Sequence, residues 1–129
     1  MRKLPLIAAA LSLLTVTGIA QAHTKVVSAS PSANTAVAPM TRVVITFNER
    51  TVPLFSGADI VMLGMPAMPG MAAHSAMKLT GMKSAWSTNG KTLTLTAARP
   101  FPRGTYRVNW HAAGADTHRM QGTYSFTVK

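Results

Sequence analysis

The chain contains no cysteine, and only three of its 129 residues are acidic, whereas thirteen are lysine or arginine. The absence of cysteine excludes disulfide bonds, thiolate metal sites and a cysteine nucleophile. Because Glu49, Asp59 and Asp116 are the only acidic residues, paired-carboxylate catalysis and oxygen-rich calcium or magnesium sites are disfavoured. The length suits one domain, and a hydrophobic fraction of 47% is enough to build a core.

The apolar stretch at the start of the chain is too short, and too often interrupted, to span a membrane comfortably. A basic start, a short apolar region and a small-x-small motif are the three parts of a secretory signal peptide. We therefore expect residues 1–22 to be cleaved on export to the periplasm, leaving one domain at 23–129. The formal charge of +10 would then fall to +8, because two basic residues are removed. The three parts are Met1-Arg2-Lys3, Leu4 to about Ile19, and Ala20-Gln21-Ala22.

Alternation of apolar and polar residues predicts about seven short strands. Asn89-Gly90 lies between two such segments and is the strongest hairpin signal in the chain. No segment offers a capped amphipathic helix. The pattern predicts an all-β fold, a single Greek-key β-sandwich or barrel of immunoglobulin-like type. The expected strands cover residues 26–30, 41–48, 58–63, a weaker 78–86, 92–96, 106–111 and 123–128.

Six of the nine methionines fall between residues 62 and 82, five of them in a run with one histidine at every third position. Pro66 and Pro69 argue against a helix, and a period of three drifts off any helical face. Soft thioethers with imidazole favour Cu(I), so the run predicts a Cu(I) site formed by three or four of its members. The alternative is a methionine-rich packing surface. The members are Met62, Met65, Met68, Met71, His74 and Met77.

A second group of candidate ligands contains nitrogen and oxygen. Cleavage after Ala22 would give His23 a free amine beside its imidazole, and together they can chelate one metal ion. Asp116 and His118 lie on the same side of the chain if that segment is extended. Such a set suits square-planar Cu(II). Glu49 could add an oxygen or accept a ligand's second N–H, and His111 is either a further ligand or a solvated side chain.

Taken together, these residues resemble the CopC-type periplasmic copper-resistance proteins, over essentially the whole of 23–129. The resemblance implies a Greek-key β-barrel or sandwich that binds Cu(I) and Cu(II) at separate sites, as a carrier or buffer. By position it implies His23, Asp116 and His118 as Cu(II) ligands with Glu49 nearby, and the methionine run as the Cu(I) segment. The matching motifs are His23-Thr-Lys-Val-Val-Ser, Ser30-Pro31, Phe47-Asn-Glu49, Phe55-Ser-Gly57-Ala58, Gly104-Thr-Tyr106-Arg-Val-Asn-Trp110 and Asp116-Thr-His118.

The chain departs from that family at two places. Pro69-Gly70-Met71 looks like an insertion into the family's shorter loop, so the resemblance does not say which methionines bind. His111 stands where the family is expected to carry a basic residue, so the resemblance assigns it no role.

Two other classes of function remain as alternatives. A copper oxidoreductase with a histidine brace could use His23 and His118, although Asp116 would occupy a position that quenches reactivity. Nucleic-acid binding is suggested by the charge, but the basic residues are scattered and export removes the usual partner. The expected partners are therefore copper ions and other periplasmic or inner-membrane copper-handling proteins. We expect a monomer without stable membrane insertion after cleavage, and no enzymatic activity.

Overall fold

Nine strands lie within residues 23–64 and 76–129, the parts of the chain that the computed structural model describes. A short 3₁₀ turn (Pro53–Phe55) separates the third strand from the fourth. In chain order the strands are β1 (Val26–Ser30), β2 (Ala36–Val37), β3 (Arg42–Phe47), β4 (Gly57–Gly64), β5 (Met77–Lys78), β6 (Lys83–Trp86), β7 (Thr92–Thr96), β8 (Gly104–Ala113) and β9 (Arg119–Val128).

The strands form two sheets, one of four strands in the order β1-β3-β7-β6 and one of five in the order β2-β9-β8-β4-β5. All neighbouring strands are antiparallel except β2 and β9. Neighbours such as β3 and β7, or β4 and β8, are distant in the chain, as in a Greek key. The prediction of an all-β sandwich is confirmed. Within the described ranges, no helix is long and apolar enough to cross a membrane.

The core lies between the sheets and is built by alternation along the strands. On β3, Val43, Ile45 and Phe47 are buried, as their spacing predicts. Phe47 contacts Trp110 edge to face, with ring centroids 5.6 Å apart, so one ring of each sheet meets across the interface. The other buried apolar side chains are Ile60, Leu93, Leu95, Phe101, Tyr106, Val108, Ala112, Ala113, Phe126 and Val128.

The weak strand expected at 78–86 is two strands that belong to different sheets. Residues 77–78 pair with β4 as β5, whereas Lys83–Trp86 pairs with β7 as β6. Gly81 has a φ of +74°, and this left-handed conformation turns the chain from one sheet to the other. The hairpin predicted at Asn89-Gly90 is confirmed, since it joins β6 to β7 with Gly90 at a φ of +68°.

The antiparallel pairing of β4 with β8 defines two ends of the sandwich. Gly57 lies opposite His111 at one end, and Gly64 lies opposite Thr105 at the other. We call the first the amino-terminal end, because residues 23–25 lie there, hydrogen-bonded to Asn48. The second is the methionine end, where β4 stops at Gly64 and β5 begins at Met77.

Two tyrosines of the described structure predict opposite effects of removing a hydroxyl. The Tyr124 hydroxyl is buried with no hydrogen-bond partner among the described residues, and burial raises its pKa to about 12. Burial penalises the phenolate, so ionisation of Tyr124 does not affect the free energy of unfolding below pH 10. Above pH 10 it lowers that free energy as the pH rises to about 12. Tyr106 instead donates a hydrogen bond of 2.6 Å to the Pro102 carbonyl.

We therefore expect Tyr124→Phe to raise the free energy of unfolding at neutral pH by about 1 kcal/mol and to remove that alkaline loss. The matched variant, Tyr106→Phe, should lower the free energy by about 1 kcal/mol. Urea unfolding from pH 7 to 12 measures both effects. Equal losses in the two variants would contradict the interpretation of the Tyr124 hydroxyl.

Candidate metal centre

The segment that begins at His23 is held by one asparagine at the end of β3. The Asn48 side-chain amide donates to the His23 carbonyl at 3.1 Å and accepts from the Lys25 amide at 2.9 Å. The Asn48 backbone amide donates to the Lys25 carbonyl at 3.0 Å. The backbone from 23 to 25 is therefore fixed on both sides, while the His23 side chain is exposed. This geometry leaves the imidazole free to bind a ligand.

Glu49 lies beneath the same segment. The hydroxyl of Thr24, which is 3% exposed, donates a short hydrogen bond to Glu49 Oε1. Gly114, in the loop that follows β8, lies against both groups: a Cβ there would be 2.5 Å from Glu49 Oε1 and 3.2 Å from Thr24 Oγ1. A side chain larger than hydrogen does not fit without displacing the carboxylate. Glu49 thus joins the 23–25 segment to the loop that carries Asp116.

Asp116 and His118 are brought together by a turn, not by an extended segment. Thr117 has a φ of 63°, and its amide donates to the Gly114 carbonyl at 2.9 Å. His118 Nδ1 lies 3.1 Å from Asp116 Oδ2, and the His118 amide donates to Asp116 Oδ1 at 3.1 Å. A carboxylate at Nδ1 orients the ring and leaves Nε2 available for a metal ion. Both side chains are more than half exposed.

The described residues do not form a complete metal cage. Among 23–64 and 76–129, no three histidine, aspartate or glutamate side chains approach closely enough to hold one ion. The structure pairs Asp116 with His118 and brings Glu49 close to Gly114, so these two carboxylates and residues 23–25 lie at one end of the sandwich. His23 remains on its own exposed segment. A site that includes His23 would require movement of that exposed segment or of the 115–118 loop.

His111 lies on the outer face of the five-stranded sheet, between Gly57 on β4 and Gln121 on β9. Burial lowers the pKa of His111, Arg119 lowers it further, and Asp59 raises it in part. Burial alone would raise the pKa of Asp59, but hydrogen bonds from Asn109 and Lys78 and the Lys78 charge outweigh it, so that pKa is lowered.

His111 lines an open depression of about 620 Å³ that is separate from the 116–118 turn. In the same depression, Lys78 Nζ lies 3.1 Å from Asp59 Oδ2. His111 is therefore a half-buried histidine whose charged form is disfavoured by burial and by Arg119. The described structure does not join His111 to the other candidate ligands.

Two of the methionines in the run lie in described strands. Met62 on β4 is paired with Met77 on β5 and with Tyr106 on β8. Met62 packs against the core, and a Cβ on Gly104 would be 2.9 Å from its Cε, so Met62 also fills space in the sandwich. Met77 is 59% exposed. The other members of the run, Met65, Met68, Met71 and His74, lie outside the described residues.

Sequence reasoning missed the residues that hold the amino-terminal end in place. Thr24, Asn48 and Gly114 carry its hydrogen bonds and close contacts. The one available signal was the glycine directly after β8, since a glycine beside a strand is typical of close approach by another group. The partners of that glycine are far away in the chain, so the sequence does not identify them.

Comparison with known proteins agrees with this architecture. A family model described as the CopC domain matches residues 26–129. Copper resistance protein C of Escherichia coli is 40% identical over 110 residues, which cover 85% of this chain and 84% of that protein. Copper resistance protein C of Pseudomonas syringae pv. tomato is 42% identical over 116 residues, covering 88% of this chain and 86% of that protein.

Solved structures are similar over the same region. The crystal structure of PcoC, a methionine-rich copper resistance protein from Escherichia coli, has a TM-score of 0.72 and 38% identity. The match covers 84% of this chain and all of that one. CopC from Methylosinus trichosporium OB3b has a TM-score of 0.62 at 29% identity, covering 83% of this chain and 94% of that one. The similarity therefore includes the whole sandwich.

The contact of Gly114 with Glu49 and Thr24 predicts that an alanine at position 114 is destabilising. We expect Gly114→Ala to lower the free energy of unfolding by about 1–3 kcal/mol, because the added methyl displaces the Glu49 carboxylate. Denaturant titration measures the change. Gly64→Ala is the matched control, since a Cβ there meets nothing within 4 Å among the described residues.

The double variant Gly114→Ala/Glu49→Ala identifies the clash. If the carboxylate is the displaced group, removing it should make the alanine at 114 cost much less than it does in the wild-type background. An unchanged cost would show that the backbone, not Glu49, opposes the side chain.

Proposed function

The chain belongs to the CopC family, and from that membership and the geometry above we propose that it is an exported copper-binding protein. It would act as a carrier or buffer in copper resistance or homeostasis. The observation that carries the proposal is the amino-terminal end, where the start of the domain, Glu49 and the Asp116–His118 pair are gathered. The names of the relatives, which are copper resistance proteins, agree with it.

We propose that this end binds Cu(II). After cleavage behind Ala22, His23 would contribute its amine and its imidazole, and His118 would contribute Nε2. Asp116 contacts His118 Nδ1, on the side of the ring away from Nε2, and would have to leave that contact to supply an oxygen to the ion. Glu49 would keep residues 23–25 in position through Thr24. A nitrogen-rich set of this kind suits the tetragonal preference of Cu(II).

We propose that the methionine end binds Cu(I). Met62 and Met77 are paired across β4 and β5, so two thioethers of the methionine run lie side by side in the described structure. Thioethers prefer Cu(I) and carry no proton that must be displaced. Three or four of Met62, Met65, Met68, Met71, His74 and Met77 would form the site.

The described members of the two proposed sites lie towards opposite ends of β4. β4 runs the length of the sandwich from Gly57 to Gly64. At about 3.3 Å per residue, its ends are roughly 23 Å apart. Each oxidation state would therefore have its own site, and a change of oxidation state would change which end the ion prefers. Other exported or membrane-bound copper proteins would collect the ion by ligand exchange.

Binding suits the amino-terminal end better than catalysis does. If Asp116 supplied an oxygen to a bound Cu(II) ion, its carboxylate would occupy the position at which an oxidant would otherwise approach. We accordingly propose no oxidoreductase activity. Incubation of the copper-loaded protein with polysaccharide, reductant and peroxide tests this, and substrate cleavage that depends on His23 and His118 would overturn it.

The proposed amine ligand predicts that one additional residue before His23 weakens Cu(II) binding. We compare the chain that begins at His23 with one that retains Ala22, which places the nitrogen of His23 in a peptide bond. The affinity for Cu(II) should fall at least about tenfold, the size of loss typical when a metal ligand is disturbed. Cu(I) affinity, measured in the same two proteins, should not change. Equal Cu(II) affinities would exclude the amine as a ligand.

The proposed thioether ligands predict that leucine in place of the methionine run abolishes tight Cu(I) binding. Leucine conserves volume, so the packing of Met62 is largely kept. Replacing Met62, Met65, Met68, Met71 and Met77 together should lower Cu(I) affinity by at least about tenfold. Met40 and Met82 also pack against the core, and their change to leucine is the matched control that should leave binding intact. If the variant with all five methionines replaced kept full Cu(I) affinity, the proposal that these thioethers bind Cu(I) would be refuted.

A further inference from the structure

The amino-terminal end presents two large apolar side chains to solvent. Leu54 is 84% exposed and Phe55 is 53% exposed, in the 3₁₀ turn that follows β3. The turn is firmly held: the Phe55 amide donates to the Val52 carbonyl at 3.0 Å, and the Val52 amide donates to the Ala113 carbonyl at 2.8 Å. The Ser56 hydroxyl accepts from the Ala113 amide at 3.0 Å. The hydrogen-bonded backbone of the turn therefore keeps Leu54 and Phe55 exposed to solvent.

Exposed cations lie at the same end of the sandwich. The Thr51 amide donates to the Gly90 carbonyl, which places the 48–52 segment beside the β6–β7 hairpin. Arg119 lies opposite Ala113 at the start of β9. We call this surface the basic end. It consists of Leu54 and Phe55 together with Lys25, Arg50, Lys91 and Arg119, all of them exposed.

The protein itself does not neutralise these cations. Its only carboxylic side chains are Glu49, Asp59 and Asp116, and each has another partner: the Thr24 hydroxyl, Lys78 and His118 respectively. Within 23–64 and 76–129, the only two side-chain ion pairs are Lys78–Asp59 and His118–Asp116. The four cations of the basic end therefore have no carboxylate within 4 Å in the described structure. A partner that matches them must bring negative charge.

The shape of the basic end favours a lipid surface over a protein partner. Two apolar side chains on a turn bury far less than the roughly 800 Å² per partner of a stable protein interface. A bilayer needs no matching recess, because acyl chains adapt to an apolar tip while anionic headgroups meet the surrounding lysines and arginines. We propose that the basic end docks reversibly on a membrane with anionic headgroups, with Leu54 and Phe55 inserted at the interface.

Docking in this way would place the Asp116–His118 pair at the membrane surface, since the loop that carries it adjoins Ala113 and Arg119. Copper bound at that end would then be presented to proteins embedded in the same membrane. The lipid contact itself does not depend on the proposed copper sites, so vesicle binding and metal titration can fail separately.

The test uses the chain that begins at His23, which contains every strand of the sandwich. Binding is measured by co-sedimentation with vesicles of phosphatidylcholine containing phosphatidylglycerol, and with vesicles of phosphatidylcholine alone. We expect binding to the anionic vesicles only, weakened by added salt. Leu54→Ser should reduce the affinity about tenfold, because one large apolar side chain no longer enters the interface.

Charge variants separate a specific docking face from general attraction. Arg50→Gln/Lys91→Gln should reduce the affinity by roughly fivefold for each charge removed. Arg99→Gln/Arg103→Gln removes the same charge from the opposite end, where β7 has ended and β8 has not begun, and should have little effect. All variants change exposed side chains, and thermal unfolding confirms that they fold.

Three outcomes would overturn the proposal. Absence of binding to anionic vesicles would show that the apolar tip and the cations serve some other partner, such as an acidic protein. If Leu54→Ser did not change the affinity for anionic vesicles, the binding would be non-specific electrostatic attraction without insertion of Leu54. Equal losses in the two double variants would show that net charge, not the basic end, determines the affinity.

Discussion

The hydrogen bond from Thr24 to Glu49, formed beside a glycine at position 114, is the contact on which the amino-terminal end depends. It links the first residues of the domain to the end of β3 and to the loop after β8. These three segments belong to both sheets, so the contact also joins the layers at this end. The hydroxyl of Thr24 is buried, and an unpaired carboxylate beside it would be costly.

The same scarcity of carboxylates shapes the surface. Each of the three acidic side chains has a partner within the protein, one of them a hydroxyl, one a lysine and one a histidine. Among residues 23–64 and 76–129, Lys78 is the only lysine or arginine that pairs with a carboxylate, and the others carry their charge without an ion pair. Such a surface repels like-charged molecules and attracts anionic ones over a range set by ionic strength.

Much of the fold could be predicted because burial on one face of a strand imposes a period of two. The alternation at 43–47 and 106–110 placed the core residues correctly, and Asn89-Gly90 placed a hairpin. The prediction of a single strand at 78–86 was wrong. Two short strands with a glycine turn between them show too little alternation to indicate which sheet each one joins. The two-residue strand β2 pairs with β9 through backbone groups alone and leaves no pattern in the side chains.

The sequence by itself determined the kinds of ligand the protein can offer: thioether, imidazole and a few carboxylates, with no thiol. It also placed Asp116 near His118, because two residues of separation keep them close in almost any backbone. Only the tertiary structure decided that Glu49 contacts Thr24 and Gly114, and that His111 faces a groove with Asp59 and Arg119. These contacts join strands far apart in the chain, and their register is set by packing of the whole sandwich, which no local pattern records.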